Sequence, residues 1–429
     1  MSDLLIEGGA VLRPDLTVER ADVLVDRDAG DVVAVGDGLA GDDVLDASDG
    51  LVVPGLVNAH THVSMTLLRG YADDKPLDAW LREDIWPVEA ALTPGDIRVG
   101  AELGILEMIR SGTTTFADMY FEIGEVAGAV ADAGVRARIG RGAVTVGKDE
   151  DAAVADVEGS VSDAVEYDGA ANGRVRTAVM PHSLTTVGEE YLTRAVTGAR
   201  DADLPVHYHA NETENEVDPI VESRGERPLE YARDVGMLRG EDFLAHAVHV
   251  DETEIALLAE SGTGVVHCPA SNMKLASGIA PVQRLLDAGV TVGIGTDGAA
   301  SNNDLDMFDE MRDAAMVGKL GADDASAVPA EAVVRMATEG SAAAIGMPVG
   351  RIEAGGVADL AVVDVDAPHL TPDHDLVSHL AYAVRGSDVR HTVADGQVLM
   401  RDREVQTMDE ADVMDRAEEA AFDLVARAE

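Results

Sequence analysis

Short runs of β-branched and apolar residues alternate with alanine-rich stretches through the middle of the chain, from about residue 52 to residue 347. A short apolar run bounded by turn residues is typical of a buried strand, and the alanine-rich stretches are typical of crossover helices. Repeated strand and helix units call for a parallel sheet. Eight strands are predicted: LVVPGLVNAHTH, GTTTFADM, RARIGRGAV, RVRTAVMPHS, LPVHYHANE, FLAHAVHV, TGVVHCPAS and VTVGIGTDG.

The number of these units favours a closed barrel over an open sheet. Eight successive strand and helix units are the count of a (β/α)8 barrel, and doubly wound open sheets seldom need so many. The segment GIGTDG follows a strand but lacks the G-x-G-x-x-G spacing of a dinucleotide-binding loop. The sequence therefore predicts an α/β fold of the TIM-barrel type.

The two ends of the chain have a different pattern. Short apolar or alternating runs with Gly and Asp turns fill the first fifty or so residues and recur in GVADLAVVDVD and VRHTVADGQVLM, with a hairpin signal at residues 28–31. Neither end can bury a sheet face alone, so we expect both to pair into one small β-sandwich. The expected division is 1–53 and 348–408 for the sandwich, 54–347 for the barrel and 409–429 for a terminal helix.

The charge balance bears on the host cell and on possible partners. The 429 residues include 81 Asp and Glu but only 32 Lys and Arg, a formal net charge of −49 at pH 7. Nucleic acids are held mainly by basic side chains, and the sequence has no dense basic patch, so we expect no nucleic-acid partner. Such an excess of acidic residues, with few lysines, indicates a host cell whose cytoplasm is rich in salt, because salt screens the repulsion between carboxylates. An acidic protein of ordinary cytosol is the alternative.

The chain has no sequence signal for a membrane or for secretion. No apolar run reaches the roughly 20 residues of a membrane helix, and MSDLLIEGG has no basic region or cleavage site. The single Cys268 can form no internal disulfide, which agrees with a reducing compartment. We therefore expect a soluble cytoplasmic protein of a salt-adapted, halophilic cell, without a membrane partner.

Polar and ionisable residues stand at the end of every predicted barrel strand. In a (β/α)8 barrel the strand ends and the loops after them form the active face, so residues distant in sequence converge there. The strand-end residues are His60, His62, Asp118, Arg141, His182, His209, Glu212, His246, His249, His267 and Asp297.

Four of these residues form a candidate metal site. His60 and His62 point to the same face of one strand, because side-chain direction repeats every two residues. An H-x-H pair alone is a weak signal, but His209 on the fifth strand and Asp297 on the eighth complete a set of neutral nitrogens and a carboxylate. Such a set suits zinc or ferrous iron and leaves a position open for water.

Several segments carry a resemblance to a known family. VPGLVNAHTHVSMTLLRG, HYHANET, HCPASNMKLASGIAPVQ and GTDGAASNN resemble the amidohydrolase superfamily, in the branch of methylthioadenosine/S-adenosylhomocysteine deaminases and related chlorohydrolases. The resemblance covers nearly the whole chain. It implies the same barrel with a composite β-sandwich, and it implies the same four metal ligands.

The resemblance also bears on the number of metal ions. Two-metal members of the superfamily bridge their ions with a carboxylated lysine or a glutamate from the fourth strand. Here that strand ends in His182, and none of the four lysines lies on a predicted barrel strand. We expect one divalent metal ion per subunit, with zinc favoured and iron also compatible.

Three residues are candidates for the chemical step. Glu212 matches the family's H-x-x-E and is implied to be the general acid and base, although an exposed loop glutamate is the competing interpretation. By the same resemblance Asp297 takes the proton of the attacking water. His246 is implied to orient the attacking oxygen, and a buried structural histidine is the alternative.

The resemblance implies further contacts to the substrate. Glu89 matches a ribose-binding glutamate, against an acidic helix-start residue, and His182 matches a histidine that contacts the nucleoside. Arg141 matches an arginine that faces a homocysteine tail, against a salt bridge to a barrel carboxylate. Ser301 is expected to orient the base or the aspartate ligand. The family's second arginine has no clear counterpart, and Lys148 is a candidate to replace it, as a point charge.

The leading hypothesis is a metal-dependent deaminase of adenosyl compounds: 5'-methylthioadenosine, S-adenosylhomocysteine, 5'-deoxyadenosine or adenosine. A related enzyme acting on a free base or a chlorinated ring, such as guanine, cytosine or a chlorotriazine, keeps the same metal site. A metal-free barrel used as a structural subunit is the third alternative. Resembling enzymes are commonly dimers or tetramers, so we expect a homo-oligomer.

Overall fold

The computed structural model describes residues 3–428. The strands within that range, in chain order, are β1 (Asp3–Glu7), β2 (Ala10–Leu12), β3 (Val18–Arg20), β4 (Asp22–Asp26), β5 (Asp31–Gly36), β6 (Asp43–Asp46), β7 (Gly50–Pro54), β8 (Leu56–Thr61), β9 (Thr113–Tyr120), β10 (Arg136–Ala143), β11 (Val175–Thr177), β12 (Met180–Pro181), β13 (His207–Ala210), β14 (Phe243–His246), β15 (Gly264–His267), β16 (Val292–Ile294), β17 (Leu360–Asp364), β18 (Val389–Ala394), β19 (Gln397–Arg401) and β20 (Glu404–Val405).

The α-helices lie mainly between the barrel strands. They are α1 (Leu77–Trp80), α2 (Trp86–Glu89), α3 (Pro94–Arg110), α4 (Ile123–Ala133), α5 (Glu150–Tyr167), α6 (Glu189–Asp201), α7 (Glu214–Arg224), α8 (Pro228–Val235), α9 (Glu252–Ser261), α10 (Pro269–Lys274), α11 (Val282–Asp287), α12 (Met307–Ala322), α13 (Ala330–Arg335), α14 (Ser341–Ala344), α15 (Leu376–Tyr382) and α16 (Glu410–Ala428). Within residues 3–428, no helix combines the length and the apolar content that crossing a membrane requires.

Strands β8 to β16 form the parallel sheet of a (β/α)8 barrel. Strands β8 to β12 pair with one another, as do β13 to β16. Isolated parallel bridges, such as that between Val179 and Val206, connect the two groups. The last barrel strand, β16, meets the first, β8, where the N–H of Asp297 donates to the carbonyl of His60 over 3.0 Å. The predicted fold class is confirmed.

Gly295 permits the close approach of β16 to β8. A Cβ atom at this position would lie 2.6 Å from His60 N and 2.8 Å from His60 O, where no side chain fits. Because the two strand ends touch, the side chains of His60 and Asp297 reach the same end of the barrel. A glycine therefore helps to assemble the candidate metal site.

The fourth predicted strand differs from the structure. The sequence predicts one strand over RVRTAVMPHS, but the structure divides it into β11 and β12. Val179, between the two pieces, forms an isolated bridge with Val206, which directly precedes β13. Pro181 has no N–H to donate to a ladder, which shortens the second piece. His182 consequently lies just beyond the strand, in the loop on the active face.

The chain ends form two sheets that pack face to face. One sheet has the order β5-β4-β1-β6, and the other, β20-β19-β18-β17-β7-β2-β3, combines strands from both ends. Apolar side chains from both sheets, including Leu4, Val23, Val52 and Val362, fill the space between them. The hairpin predicted at residues 28–31 is confirmed by the antiparallel pairing of β4 with β5. The boundaries 1–53, 54–347, 348–408 and 409–429 stay predictions, and residues 1, 2 and 429 lie outside the described range.

Candidate metal centre and active site

The four predicted metal ligands converge at the C-terminal face of the barrel. His60 comes from β8 and His62 from the residue after it, His209 lies on β13, and Asp297 follows β16. One nitrogen or oxygen from each side chain lies within 4.8 Å of the corresponding atoms of the other three. The predicted ligand set is confirmed as a metal-binding group.

Hydrogen bonds fix the tautomer of His60. The Nδ1–H of His207 donates to the carbonyl of Phe243 over 3.0 Å, so Nε2 of a neutral His207 is an acceptor. His60 Nδ1 lies 2.9 Å from this acceptor and donates to it. The Nε2 lone pair of His60 is therefore directed to the centre, as metal ligation requires.

The other two histidines are held in the same way. His62 Nδ1 donates to the carbonyl of Met119 over 2.6 Å, and His209 Nδ1 donates to the carbonyl of His182 over 2.7 Å. In both rings a backbone carbonyl holds the proton on Nδ1 and leaves Nε2 as the ligand atom. All three imidazoles thus present the same nitrogen to one point.

Asp297 is held through one of its two carboxylate oxygens. Oδ2 accepts hydrogen bonds from Ser271 Oγ over 2.6 Å and from Ser301 Oγ over 2.9 Å. The residue has a positive φ of 59°, which is unusual for a non-glycine residue and is common at functional sites. These contacts direct Oδ1 at the histidine nitrogens.

The spacing of these atoms fits one metal ion. Asp297 Oδ1 lies 3.2 Å from His62 Nε2 and 3.5 Å from His60 Nε2, and the Nε2 atoms of His62 and His209 are 3.3 Å apart. Ligands about 2.0 Å from a tetrahedral zinc ion lie about 3.3 Å from one another. His60 Nε2 and Asp297 Oδ1 are buried and have no hydrogen-bond partner among residues 3–428, which a cation would supply.

The pKa shifts agree with a cation site. Burial lowers the pKa of His60 to about 4 and that of His209 well below its ordinary value, so both rings are neutral at pH 7. Burial also disfavours the charged form of His62, but the adjacent carboxylate of Asp297 outweighs this effect, and the pKa of His62 is raised to about 9. A metal ion at this centre therefore competes with a proton on His62.

Glu212 and His246 lie together beside the metal ligands. His246 Nε2 is 3.6 Å from Glu212 Oε2, and His246 Nδ1 lies 3.0 Å from Asn272 Oδ1, to which it donates. Ser277 Oγ donates to Glu212 Oε1 over 3.4 Å. Burial raises the pKa of Glu212, which favours a protonated carboxyl group able to give up its proton. Glu212 is 8% exposed, so it is not a solvent-exposed loop residue.

The segment after the first barrel strand lies near the metal ligands. Glu89, at the end of α2, accepts a hydrogen bond from Tyr120 Oη over 2.7 Å, and the Tyr120 ring centroid is 6.2 Å from that of His62. The ring of His182 lies 4.6 Å from that of His209. Glu89 and His182 are thus brought to the mouth of the site.

Arg141 makes contacts on the helix side of its strand. Its guanidinium pairs with Asp156 over 2.8 Å and with Asp163 over 3.6 Å, both on α5. Lys148 reaches the other oxygen of Asp156 over 2.7 Å. The structure therefore pairs both cations with carboxylates of α5 and does not bring them to the metal ligands.

The sequence patterns did not identify the residues that hold the ligands. His207, buried on β13, accepts the hydrogen bond from His60 Nδ1. Ser271 and Asn272 lie in the segment HCPASNMKLASGIAPVQ, whose resemblance assigns them no individual role. Their position directly after the seventh barrel strand is the signal that could have identified them.

Comparisons with known proteins agree with this geometry. A relative from Haloarcula marismortui named 5-methylthioadenosine/S-adenosylhomocysteine deaminase is 70% identical over 430 residues, which cover 100% of both chains. A 5'-deoxyadenosine deaminase of Methanothermobacter thermautotrophicus is 44% identical over 98% of this chain and 97% of its own. The crystal structure of an adenosine deaminase from Xanthomonas campestris with bound zinc is 38% identical, with a TM-score of 0.93 over 99% of both chains. Residues 51–399 match the sequence profile of the Amidohydrolase family, and the chain belongs to that family.

Proposed function

We propose that this chain is a metal-dependent aminohydrolase that converts adenosyl compounds to inosyl products and ammonia. The substrate class comprises 5'-methylthioadenosine, S-adenosylhomocysteine, 5'-deoxyadenosine and adenosine. One observation carries the proposal: the ring of His246 lies 5.4 Å from that of the metal ligand His209, and the buried carboxyl group of Glu212 lies 3.6 Å from His246. The names of the relatives support an adenosyl substrate.

The metal site and Glu212 divide the chemistry between them. A divalent ion held by the four ligands would supply the Lewis acidity that activates water as a nucleophile at neutral pH. Asp297, whose Oδ2 is held by two serine hydroxyls, takes the proton of the attacking water and passes it to the amino group, so that the C–N bond breaks and ammonia leaves. Glu212 donates its proton to the ring nitrogen next to the carbon that bears the amino group, where charge develops. His246, held by Asn272, orients the attacking oxygen.

The proposed substrate contacts surround this group. Glu89 binds the ribose hydroxyls, His182 contacts the nucleoside, and Ser301 acts through its hydrogen bond to Asp297. A role for Arg141 in binding a homocysteine carboxylate requires its guanidinium to exchange Asp156 and Asp163 for the substrate. Substrates without a carboxylate do not require Arg141 to leave Asp156 and Asp163.

Ammonia release from a panel of substrates tests the proposal. The zinc-loaded protein, kept in molar KCl, is incubated with the four adenosyl compounds and with adenine, guanine and cytosine. We expect turnover of nucleosides and not of bases, and loss of turnover in Glu212→Gln with the zinc content unchanged. Glu222→Gln, on the exposed face of α7, is the matched control and should behave like the parent.

Two results would contradict the proposal. Turnover of a free base alone would assign the protein to the free-base alternative and would remove the ribose role of Glu89. No turnover by folded, zinc-loaded protein would contradict deamination of this substrate class, and release of chloride from a chlorotriazine would then indicate the other branch of the family.

A further inference from the structure

A cavity of about 620 Å³ opens at the N-terminal face of the barrel. Its lining comes from strand starts and the loops before them: Arg138 near the start of β10, Arg176 in β11, Leu204 and Pro205 before β13, and Arg239 before β14. Because the barrel strands are parallel, these starts lie at the opposite face from the strand ends that hold the metal ligands. The cavity is therefore separate from the proposed active site.

Four arginines and three carboxylates line the cavity, in a chain whose net charge is −49. Two of its four arginines are neutralised: Arg200 pairs with Asp242 over 2.5 Å, and Arg176 lies 3.5 Å from Asp168. The other two, Arg138 and Arg239, form no ion pair within residues 3–428. The lining arginines are Arg138, Arg176, Arg200 and Arg239.

Arg138 is a buried arginine without a carboxylate partner. It is 7% exposed, and its guanidinium donates only to backbone carbonyls, those of Thr177 over 2.6 Å and Gly346 over 3.2 Å. Its Nε is buried without a partner. Within the described chain the other two buried arginines, Arg136 and Arg174, have carboxylate partners, and Arg138 has none. A buried charge without a counterion is strongly unfavourable, so a missing anion is indicated.

We propose that this cavity binds a phosphorylated small molecule through the guanidinium groups of Arg138 and Arg239. Arginine presents a rigid fork of donors that matches two phosphate oxygens, and an oxyanion would supply the counter-charge that Arg138 lacks. Burial and the nearby charge of Arg176 lower the pKa of Arg138 to about 10, and the charge of Asp168 offsets only part of this effect.

The size and lining of the cavity favour a ligand larger than inorganic phosphate. Its volume lies within the range of roughly 300–1,000 Å³ that small-molecule sites occupy, well above what one oxyanion fills. Asp168, Asp203 and Glu241 also line it, and their carboxylates are suited to accept hydrogen bonds from hydroxyl groups. A sugar phosphate combines the anion and the hydroxyls in one molecule.

Binding of ribose 5-phosphate to the zinc-loaded protein in molar KCl tests the proposal, with inorganic phosphate and free ribose as comparison ligands. The variants are Arg138→Gln and Arg239→Gln. Arg312→Gln, at an exposed position of α12, removes an arginine that forms no ion pair within the described chain and is the matched control. Calorimetry gives the affinity and the stoichiometry, and turnover is measured in parallel.

We expect one ribose 5-phosphate per chain, weaker binding of inorganic phosphate and no binding of ribose. Each cavity variant should lower the affinity by about tenfold or more, as loss of a charge-assisted hydrogen bond does, while Arg312→Gln binds like the parent. Arg239→Gln should retain full turnover, because it lies at the face opposite the active site.

Three results would overturn the proposal. One is the absence of binding by either phosphate compound, and another is unchanged affinity in Arg239→Gln, which would place the anion elsewhere, such as the metal centre. The third is a change of oligomeric mass in Arg239→Gln without loss of phosphate binding, which would assign the cavity to a subunit contact. Arg239 is exposed, so this variant decides the matter even where Arg138→Gln fails to fold.

Discussion

Two serine hydroxyls hold the carboxylate ligand of the metal site, and removing one should weaken metal binding. Ser271→Ala deletes the 2.6 Å hydrogen bond to Asp297 Oδ2 and leaves only Ser301 to orient that side chain. Outer contacts of this kind are typically worth about 10- to 100-fold in metal affinity. Zinc affinity, measured by competition with a chelator, should fall within that range. Ser378→Ala, remote from the site, should match the parent, and equal affinities for all three proteins would contradict the account.

The buried carboxyl group of Glu216 should make the free energy of unfolding depend on pH. It accepts a hydrogen bond from the N–H of Glu212 over 2.9 Å, and burial raises its pKa from 4.5 to about 8. The folded state therefore holds this proton more tightly than the unfolded chain, so the associated stability is present below pH 4.5 and is lost as the pH rises to about 8. Glu216→Gln keeps an acceptor for Glu212 without the carboxyl proton. Relative to this variant, the parent should lose free energy of unfolding across that interval in denaturant titrations. A difference between the two proteins that does not vary with pH would show that Glu216 is ionised when folded.

At the scale of elements, the approach of β16 to β8 depends on Gly295. A Cβ in Gly295→Ala would meet the backbone of His60 at 2.6 Å, so the strands must separate, at a cost of about 1–3 kcal/mol. Thermal unfolding should shift to lower temperature, and zinc should bind more weakly because Asp297 moves from His60. Gly95→Ala at the start of α3 meets only Thr93 Oγ1 at 3.7 Å and is the control. Equal unfolding temperatures for the two variants would refute the importance of this contact.

The elements also show which features a sequence can predict. Strand periodicity places His60 and His62 on one face, and the rule that strand ends converge brings them to Asp297. Contacts made by loop residues cannot be predicted in this way, because the position of Ser271 after a strand does not show which metal ligand its hydroxyl will bind. The break between β11 and β12 and the pairing of Arg141 with α5 likewise depend on neighbours distant in sequence.

At the scale of the whole molecule, the net charge of −49 makes the fold dependent on salt. The screening length is about 3 Å in 1 M salt and about 10 Å in 0.1 M salt, so repulsion between surface carboxylates grows on dilution. The unfolding temperature should fall as KCl is lowered from molar concentration, and sucrose should not substitute for the salt. The halophilic source of the 70% identical relative agrees with this expectation. An unfolding temperature independent of KCl would contradict it.

The geometry of the site predicts that one metal ion, held by three histidines and Asp297, supports deamination of an adenosyl compound. Metal-free protein in molar KCl is titrated with zinc, and ammonia release from S-adenosylhomocysteine and 5'-methylthioadenosine is followed at each step. Activity should rise linearly with added zinc and reach its plateau at one zinc ion per chain. A plateau at two ions per chain, or zinc binding without ammonia from either compound, would contradict it.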